Sequence, residues 1–555
     1  MSISSRSLQT GRKAAATLLA GLCLALGLWP AWAEAVKPPK LIVVLIIDGL
    51  PQRQVMQYRD HLSEDGFRRF LDRGLWFSEA HYGHAHTVTA AGHAVLMTGA
   101  YPQRTGIIGN DWIDPTSRQR VYNTQDSGCQ YIGHATESLA GTSARLLLTE
   151  TVGDVLRSVD AASKVVGISG KDRGAILPAG HKGLAYMYMS STGQFASSTC
   201  YMNSHPEWVK GFNAAKPADA YFGKTWAPLL PESAYERSVA DGQIWQSTSG
   251  NGNKLPAVIG AQMPAPNPNY YENLLATPFG DELTLNFAQG AIEGEQLGAD
   301  GKPDILTISL SSHDYVNHAF GPESRLSHDH LLHLDRHLQA FFKYLDQHIG
   351  ADQYLAVLTA DHGFGETPEW AASQGRDAKR ISSSKQMARA NEELAKLYGA
   401  GPWITHSSAM GVLFDEALIK QRDLKPDQVY DSARSILLQD PDVAAVYTRQ
   451  QLLQSDDSSP IFQSVRKTWH AERSPPVMVV LKPGRIYGSR PTGSSHGTPH
   501  RYDTHVPLMM WGPNWVRSGE VGKRVELADL APTLAAILSI PVPQQSQGKL
   551  LPLTP

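Results

Sequence analysis

Residues 40–49 read KLIVVLIIDG. The run is unbroken, rich in β-branched residues and shows no polar alternation, which is the pattern of a strand buried on both faces of a parallel sheet. It stops at Asp48-Gly49, and a carboxylate at the C-terminal end of such a strand sits where open α/β sheets take their ligands. Two later stretches repeat the pattern. Residues 304–310 (DILTISL) run into Ser311-Ser312-His313-Asp314-Tyr315-Val316-Asn317-His318, and residues 354–359 (YLAVLT) run into Asp361-His362-Gly363. Three buried strands are therefore expected to end in acids: Asp48, Asp314 and Asp361.

Around these strands, residues 146–159, 324–348, 386–398 and 527–538 read as helices, and residues 164–168, 476–481 and 505–511 as further strands. Alternating strands and helices predict an α/β fold with a doubly wound, mostly parallel central sheet flanked by helices. Residues 182–290 have weak periodicity and many Pro, Asn, Gly, Tyr and Trp residues. They read as a cap insertion over the sheet edge, and residues 400–480 as a second, mixed insertion. One catalytic domain over 38–548 is expected.

Composition narrows the function. Hydrophobic residues make up 42% and charged residues 19% of the chain, which is globular rather than disordered. The formal net charge is −3, and without a Lys/Arg run nucleic acid is not an expected partner. Arg6, Arg12 and Lys13, the apolar stretch 14–28 and Ala31-Trp32-Ala33 read as a cleavable signal peptide over 1–33, so a periplasmic or secreted protein is expected. Leu22 before Cys23 is too large for the usual lipoprotein signal, and no stable membrane anchor is expected. Cys129 and Cys200 remain and can pair in an oxidising compartment, although spacing does not fix the geometry. A monomer is expected, since no extended apolar seam is visible.

The candidate chemistry lies at Thr89. In HAHTVTAAGH (84–93), small residues open a helix at Thr89, and a helix N-terminus suits an anion beside a reactive hydroxyl. A threonine there is ordinarily an N-cap. The acids and imidazoles elsewhere change that weighting. His318 follows Asp314 by four residues, His362 adjoins Asp361, and His496 lies in the loop Ser494-Ser495-His496-Gly497. Carboxylates mixed with neutral imidazoles suit zinc.

The pieces VVLIIDG, TVTAAGH, GNDW, TADHGF, SSHG and LADLAPTLA occur in this order from about residue 40 to 548. They resemble the alkaline phosphatase superfamily, in its PafA-type and nucleotide pyrophosphatase/phosphodiesterase-like branch. The resemblance implies two Zn²⁺ ions. Asp48, Thr89, Asp361 and His362 would surround one, and Asp314, His318 and His496 would hold the other. It further implies that Thr89 attacks phosphorus to give a phosphothreonine, because metal coordination supplies the activation a plain hydroxyl lacks. Asn110 would donate to a phosphoryl oxygen. Lys171 and Arg173 in GKDRG (170–174) resemble the monoesterase pattern, in which paired cations favour the dianion of a monoester.

Small-molecule phosphate monoesters are thus the expected substrates. A pyrophosphatase-type diesterase using the same two-zinc site is the alternative. The sulfatase pattern is absent around Thr89, and the cytosolic mutase relatives generally use serine. A zinc-stabilised scaffold without turnover would not need the nucleophile and phosphate contacts. His93 is expected beneath the Thr89 helix. His81, His84, His86, His313, His500 and His505 compete with His496 on sequence alone, and the H-G context selects His496.

Overall fold

The KLIVVLII run becomes strand β1 (Leu41–Ile47), buried at every residue. We describe a computed structural model covering residues 37–248, 250–488 and 491–555, within which residues 39–555 form one compact unit. The predicted signal segment, with Cys23 and Ala31-Trp32-Ala33, lies outside the described residues. No helix among the described residues is long and apolar enough to cross a membrane.

The other strands of the central sheet are β2 (Leu75–Phe77), β3 (Val165–Ser169), β4 (Leu184–Met189), β5 (Gln194–Ala196), β6 (Asp304–Leu310), β7 (Tyr354–Thr359), β8 (Leu508–Trp511) and β9 (Gly519–Val521). Their order is β9-β2-β8-β7-β1-β6-β3-β4-β5. Strand β1 runs parallel to both neighbours, Leu41 pairing with Asp304 of β6 and with Tyr354 of β7. The pairs β6/β3, β3/β4 and β2/β9 are parallel as well, whereas β8 is antiparallel to β7 and β2, and β5 to β4. The sheet is mostly parallel, as expected. Each fully buried Leu, Ile or Val of β1 contributes roughly 1.5–3 kcal/mol relative to exposure, so this strand anchors the core. Its C-terminal edge, between β6 and β7, is where the site forms.

Several expectations need correction. Asp314 does not end a strand: β6 stops at Leu310, and Asp314 lies in the first turn of the helix Ser312–Phe320. The D-x-x-x-H spacing therefore places Asp314 and His318 one helical turn apart on one face. This helix starts early because buried Asp281 accepts the Ser312 N–H at 3.1 Å. Residues 146–150 are not helical; the helix Val152–Val159 begins after Thr151, which forms a capping box with Asp154. Residues 505–507 precede β8 rather than joining it, and Pro507 there has no N–H for a ladder. Residues 182–290 are only partly a cap, since β4 and β5 belong to the central sheet and the helix Pro278–Gly294 packs against the long helix Arg325–Leu345.

The second insertion has its own core. Strands Ile404–Ser408, Gly411–Phe414, Val477–Leu481 and Val443–Thr448 form a separate antiparallel sheet in that order. Leu394, Trp403, Phe414, Val429 and Tyr430 are buried together between this sheet and its helices. Cys129 and Cys200 are joined by a disulfide, with Cα atoms 5.5 Å apart.

Candidate active site

Thr89 is the first residue of the helix Thr89–Thr98, and extended Val88 before it is the N-cap, with no side-chain capping bond. The Thr89 hydroxyl is therefore not used as a cap. Gly92, one turn on, faces the end of β7 so closely that a Cβ there would lie 2.0 Å from the Asp361 carbonyl oxygen. Only glycine lets the helix lie against that strand end. Beneath the helix, His93 Nδ1 is 2.8 Å from the Thr89 carbonyl oxygen and 3.3 Å from Asp361 Oδ2, and Nε2 is 2.8 Å from Ser309 Oγ. Asn110 ends the loop of residues 106–110 and directly precedes a short hairpin of Asp111–Ile113 and Arg120–Tyr122. Its Oδ1 accepts the Ala90 N–H at 2.9 Å. That bond fixes the carboxamide with its NH₂ left as a donor beside the helix N-terminus.

The predicted acids and imidazoles converge here. Asp48, Asp361 and His362 bring ligand-capable atoms within 4.8 Å of one another, as do Asp314, His362 and His496. His362 Nε2 lies 3.5 Å from both Asp48 Oδ1 and Asp361 Oδ2. His318 Nε2 is 3.4 Å, and His496 Nε2 3.7 Å, from Asp314 Oδ1. Each of these histidines places Nδ1 on a backbone carbonyl: His318 on Ser494 at 3.0 Å, His362 on Gly363 at 2.9 Å and His496 on Thr87 at 2.9 Å. A carbonyl can only accept, so Nδ1 carries the proton and the Nε2 lone pair faces the carboxylates. Such outer bonds orient metal-ligating histidines.

Four of the converging atoms are buried without any hydrogen-bond partner: Asp48 Oδ1, Asp314 Oδ1, Asp361 Oδ2 and His362 Nε2. An unpaired buried polar atom costs about 1–3 kcal/mol, and more when charged. Four in one place, all lone-pair donors, fit divalent cations rather than an ordinary core.

The electrostatics follow from the crowding. Burial, with Asp361 and Asp314 close by, pushes Asp48 well above the carboxylate range against the pull of Lys171. For Asp314 burial acts the same way, but Lys171, His318 and His496 outweigh it and hold the acid well below that range. Burial also opposes ionisation of Asp361, yet His362 and His93 bring it below its ordinary value. Burial lowers His362 and His496 below the ordinary imidazole value.

Lys171 Nζ lies 2.7 Å from Asp48 Oδ2 and 2.5 Å from Asp314 Oδ2, and so serves as the counter-charge to these acids. Burial would lower its ammonium, but the two carboxylates raise it. Arg173, two residues on, donates to the Tyr122 hydroxyl at 3.2 Å, while that hydroxyl donates to Asp172. Tyr122 is a residue that sequence reasoning missed; nothing local marks it, because only the Arg120–Tyr122 strand brings it to Arg173. Asn317, also missed, donates to the Gly49 carbonyl at 3.0 Å and ties the Asp314 helix to the end of β1.

Among the described residues, the competing histidines join neither of these two groups. His86 Nδ1 meets the Ile108 carbonyl, His500 Nε2 the Leu481 carbonyl, and His313 lies between Gln54 and His330. His84 packs edge-on against Tyr82. His81 stacks on His505 in a group with Glu79.

A parallel-sheet edge that gathers unpartnered acids and an unpartnered imidazole beside a helix N-terminus gives this α/β chain a candidate divalent-metal site. The chain belongs to the Type I phosphodiesterase / nucleotide pyrophosphatase family, whose profile matches residues 42–505. It is 34% identical to a Myroides odoratus protein named calcium-transporting ATPase, over 96% of this chain and 97% of that one. It is also 34% identical to alkaline phosphatase PafA of Elizabethkingia meningoseptica, over 93% of this chain and 94% of the relative. The crystal structure of PafA matches with a TM-score of 0.87 at 33% identity, covering 93% of this chain and 99% of that one.

Proposed function

We propose that this chain is an alkaline phosphatase, a phosphoric monoester hydrolase with two zinc ions that acts in the periplasm or outside the cell. Residues 38–548 would act as one catalytic domain on small-molecule phosphate monoesters. The observation that carries the reading is the convergence of the four unpartnered buried atoms of Asp48, Asp314, Asp361 and His362 beside the Thr89 helix. Asp48, Asp361, His362 and the Thr89 hydroxyl would hold one ion, and Asp314, His318 and His496 the other. When bound, such a pair of cations lowers the pKa of an attacking hydroxyl and stabilises a departing alkoxide.

The chain's own groups do the rest. Thr89 Oγ forms a bond to phosphorus in line with the ester oxygen, whose bond to phosphorus breaks. The Thr89 hydroxyl gives up its proton as its oxygen bonds to phosphorus, and the departing oxygen takes up a proton in balance and leaves as the alcohol. Water then attacks the phosphothreonine, releases phosphate and returns the hydroxyl. The N-terminus of the Thr89–Thr98 helix and the Asn110 NH₂ face the equatorial oxygens, where charge concentrates during transfer. Arg173, braced by Tyr122, supplies a planar donor fork. Lys171 adds a second positive charge, and with Asp48 and Asp314 engaged by bound metal it would be free for a phosphoryl oxygen.

The test is the ratio of kcat/KM for nitrophenyl phosphate and for the corresponding diester on zinc-loaded protein. A monoester preference of about 10²-fold or more is expected from two cations aimed at the extra charge. A diester preference supports the alternative, a pyrophosphatase-type diesterase using the same residues.

A further inference from the structure

Beside the candidate active site lies a cavity of about 380 Å³, between the loops at Val88, Asn110 and His496 and the second insertion with its flanking segments. Its inner end is lined by Val88, Asn110 and His496, so it opens onto the nucleophile helix and the imidazole group that includes Asp314. Its outer walls come from the insertion and the segments flanking it: Met387 and Ser383 on the preceding helix, Ser407 and Met410 on a hairpin, and Ile486 beyond it. The cavity therefore continues the phosphoryl site rather than standing apart from it.

The lining has a definite character. Met387, Met410 and Ile486 give soft, polarisable patches that suit ring faces, interleaved with neutral polar groups from Gln386, Tyr487 and the serines. The charged residues among the described lining are already satisfied. Arg485 pairs with Asp377 at 2.7 Å and Asp442 at 3.1 Å, and Asp111 with Arg120 at 2.6 Å. No described charge is left over to receive a charged leaving group.

The hairpin turn is an independent observation. Ala409 and Met410 both have positive φ, 42° and 65°, at a two-residue turn where Asn and Gly are the usual occupants. Strained non-glycine residues of this kind gather at ligand clamps. Here the strain falls on a residue that forms the cavity wall.

We infer that this cavity is a leaving-group subsite that takes an uncharged, bulky alcohol with an apolar ring, giving the enzyme a preference among monoesters. The inference rests on the proposed monoester reaction. It is tested with ethyl phosphate and naphthylethyl phosphate, two primary alkyl esters with matched leaving oxygens, and with an alkyl bisphosphate as the charged counterpart. Naphthylethanol, which has no phosphate, is titrated separately onto the zinc-loaded protein by fluorescence.

On wild-type protein, kcat/KM for naphthylethyl phosphate should exceed that for ethyl phosphate by tenfold or more, through KM, and the bisphosphate should gain nothing over ethyl phosphate. Ser407→Trp, which fills the cavity, should remove most of that gain and abolish naphthylethanol binding. Ser383→Trp fills it from the opposite wall and repeats the test should Ser407→Trp fail to fold. Equal kcat/KM for the two alkyl esters, a gain for the bisphosphate, or naphthylethanol binding unchanged in both filled variants would overturn the inference. If wild-type protein hydrolyses none of the esters, the monoester reading fails; naphthylethanol binding then decides the cavity by itself.

Discussion

Glu79, His81 and His505 lie close enough together to share an ion, and so do Asp48, Asp361 and His362. In the first group each residue is already engaged by hydrogen bonds. Glu79 takes a bidentate pair from Arg501 at 2.7 and 2.8 Å, His81 Nε2 meets Glu79 at 2.9 Å, and His505 Nε2 meets the Ser78 carbonyl at 2.8 Å. In the second, Asp48, Asp361 and His362 each keep an unpartnered buried atom. Proximity of acids and imidazoles is thus the weaker signal, and unsatisfied burial the stronger one. The Glu79 group is a satisfied ion-pair cluster, whereas the Asp48 group combines convergence with unsatisfied burial.

The contrast can be broken at its centre. Thr89→Ala should reduce monoester turnover by about 10³-fold or more, since no other positioned nucleophile replaces it, while zinc content measured by atomic emission stays unchanged. Retained turnover would separate the metal group from the chemistry. The next effect compares the two groups directly. His496→Ala should lower zinc content and cut activity by about 10²-fold, whereas His505→Ala should leave zinc content unchanged and turnover within about threefold. A third comparison lies inside the site. Arg173→Ala should cost monoester hydrolysis about tenfold more than diester hydrolysis, because a planar fork reads the extra anionic oxygen. Equal losses on both esters would make Arg173 a general electrostatic contributor.

The smallest effect belongs to the satisfied group. Hydrogen bonds from Arg501, then His81, hold Glu79 below the carboxylate range. A depressed folded pKa gives stability that is present above the unfolded value of about 4.3 and is lost as pH falls toward the folded pKa. Because the pair is well exposed to solvent, Glu79→Gln should lower Tm by only about 1–2 °C at neutral pH. Melting curves of the two proteins should converge as the pH falls below 4.3.

The strands and the site residues differed in how legible they were. Unbroken apolar runs marked β1, β6 and β7 because strands buried on both faces leave no polar alternation. The acids following β1 and β7 were readable for the same reason. Asp314 was misplaced because Ser311-Ser312 reads equally well as a strand end or a helix start; the deciding partner, Asp281, lies on another element. His496 could be chosen over His505 only by the motif around it. What separates them physically is the Thr87 carbonyl at Nδ1, a contact spanning more than 400 residues of chain. Tyr122 and the cavity walls of the second insertion were invisible for the same cause, since both arise from packing between distant segments.

The central claim is that unpartnered acids and imidazoles around Thr89 hold two zinc ions. Anomalous diffraction at the zinc edge, on crystals of the zinc-loaded mature protein, tests it most directly. Two peaks are expected, one among Asp48, Asp361, His362 and Thr89, the other among Asp314, His318 and His496, with none at Glu79, His81 and His505. No peak at the Thr89 site, or a peak only at the Glu79 group, would contradict it.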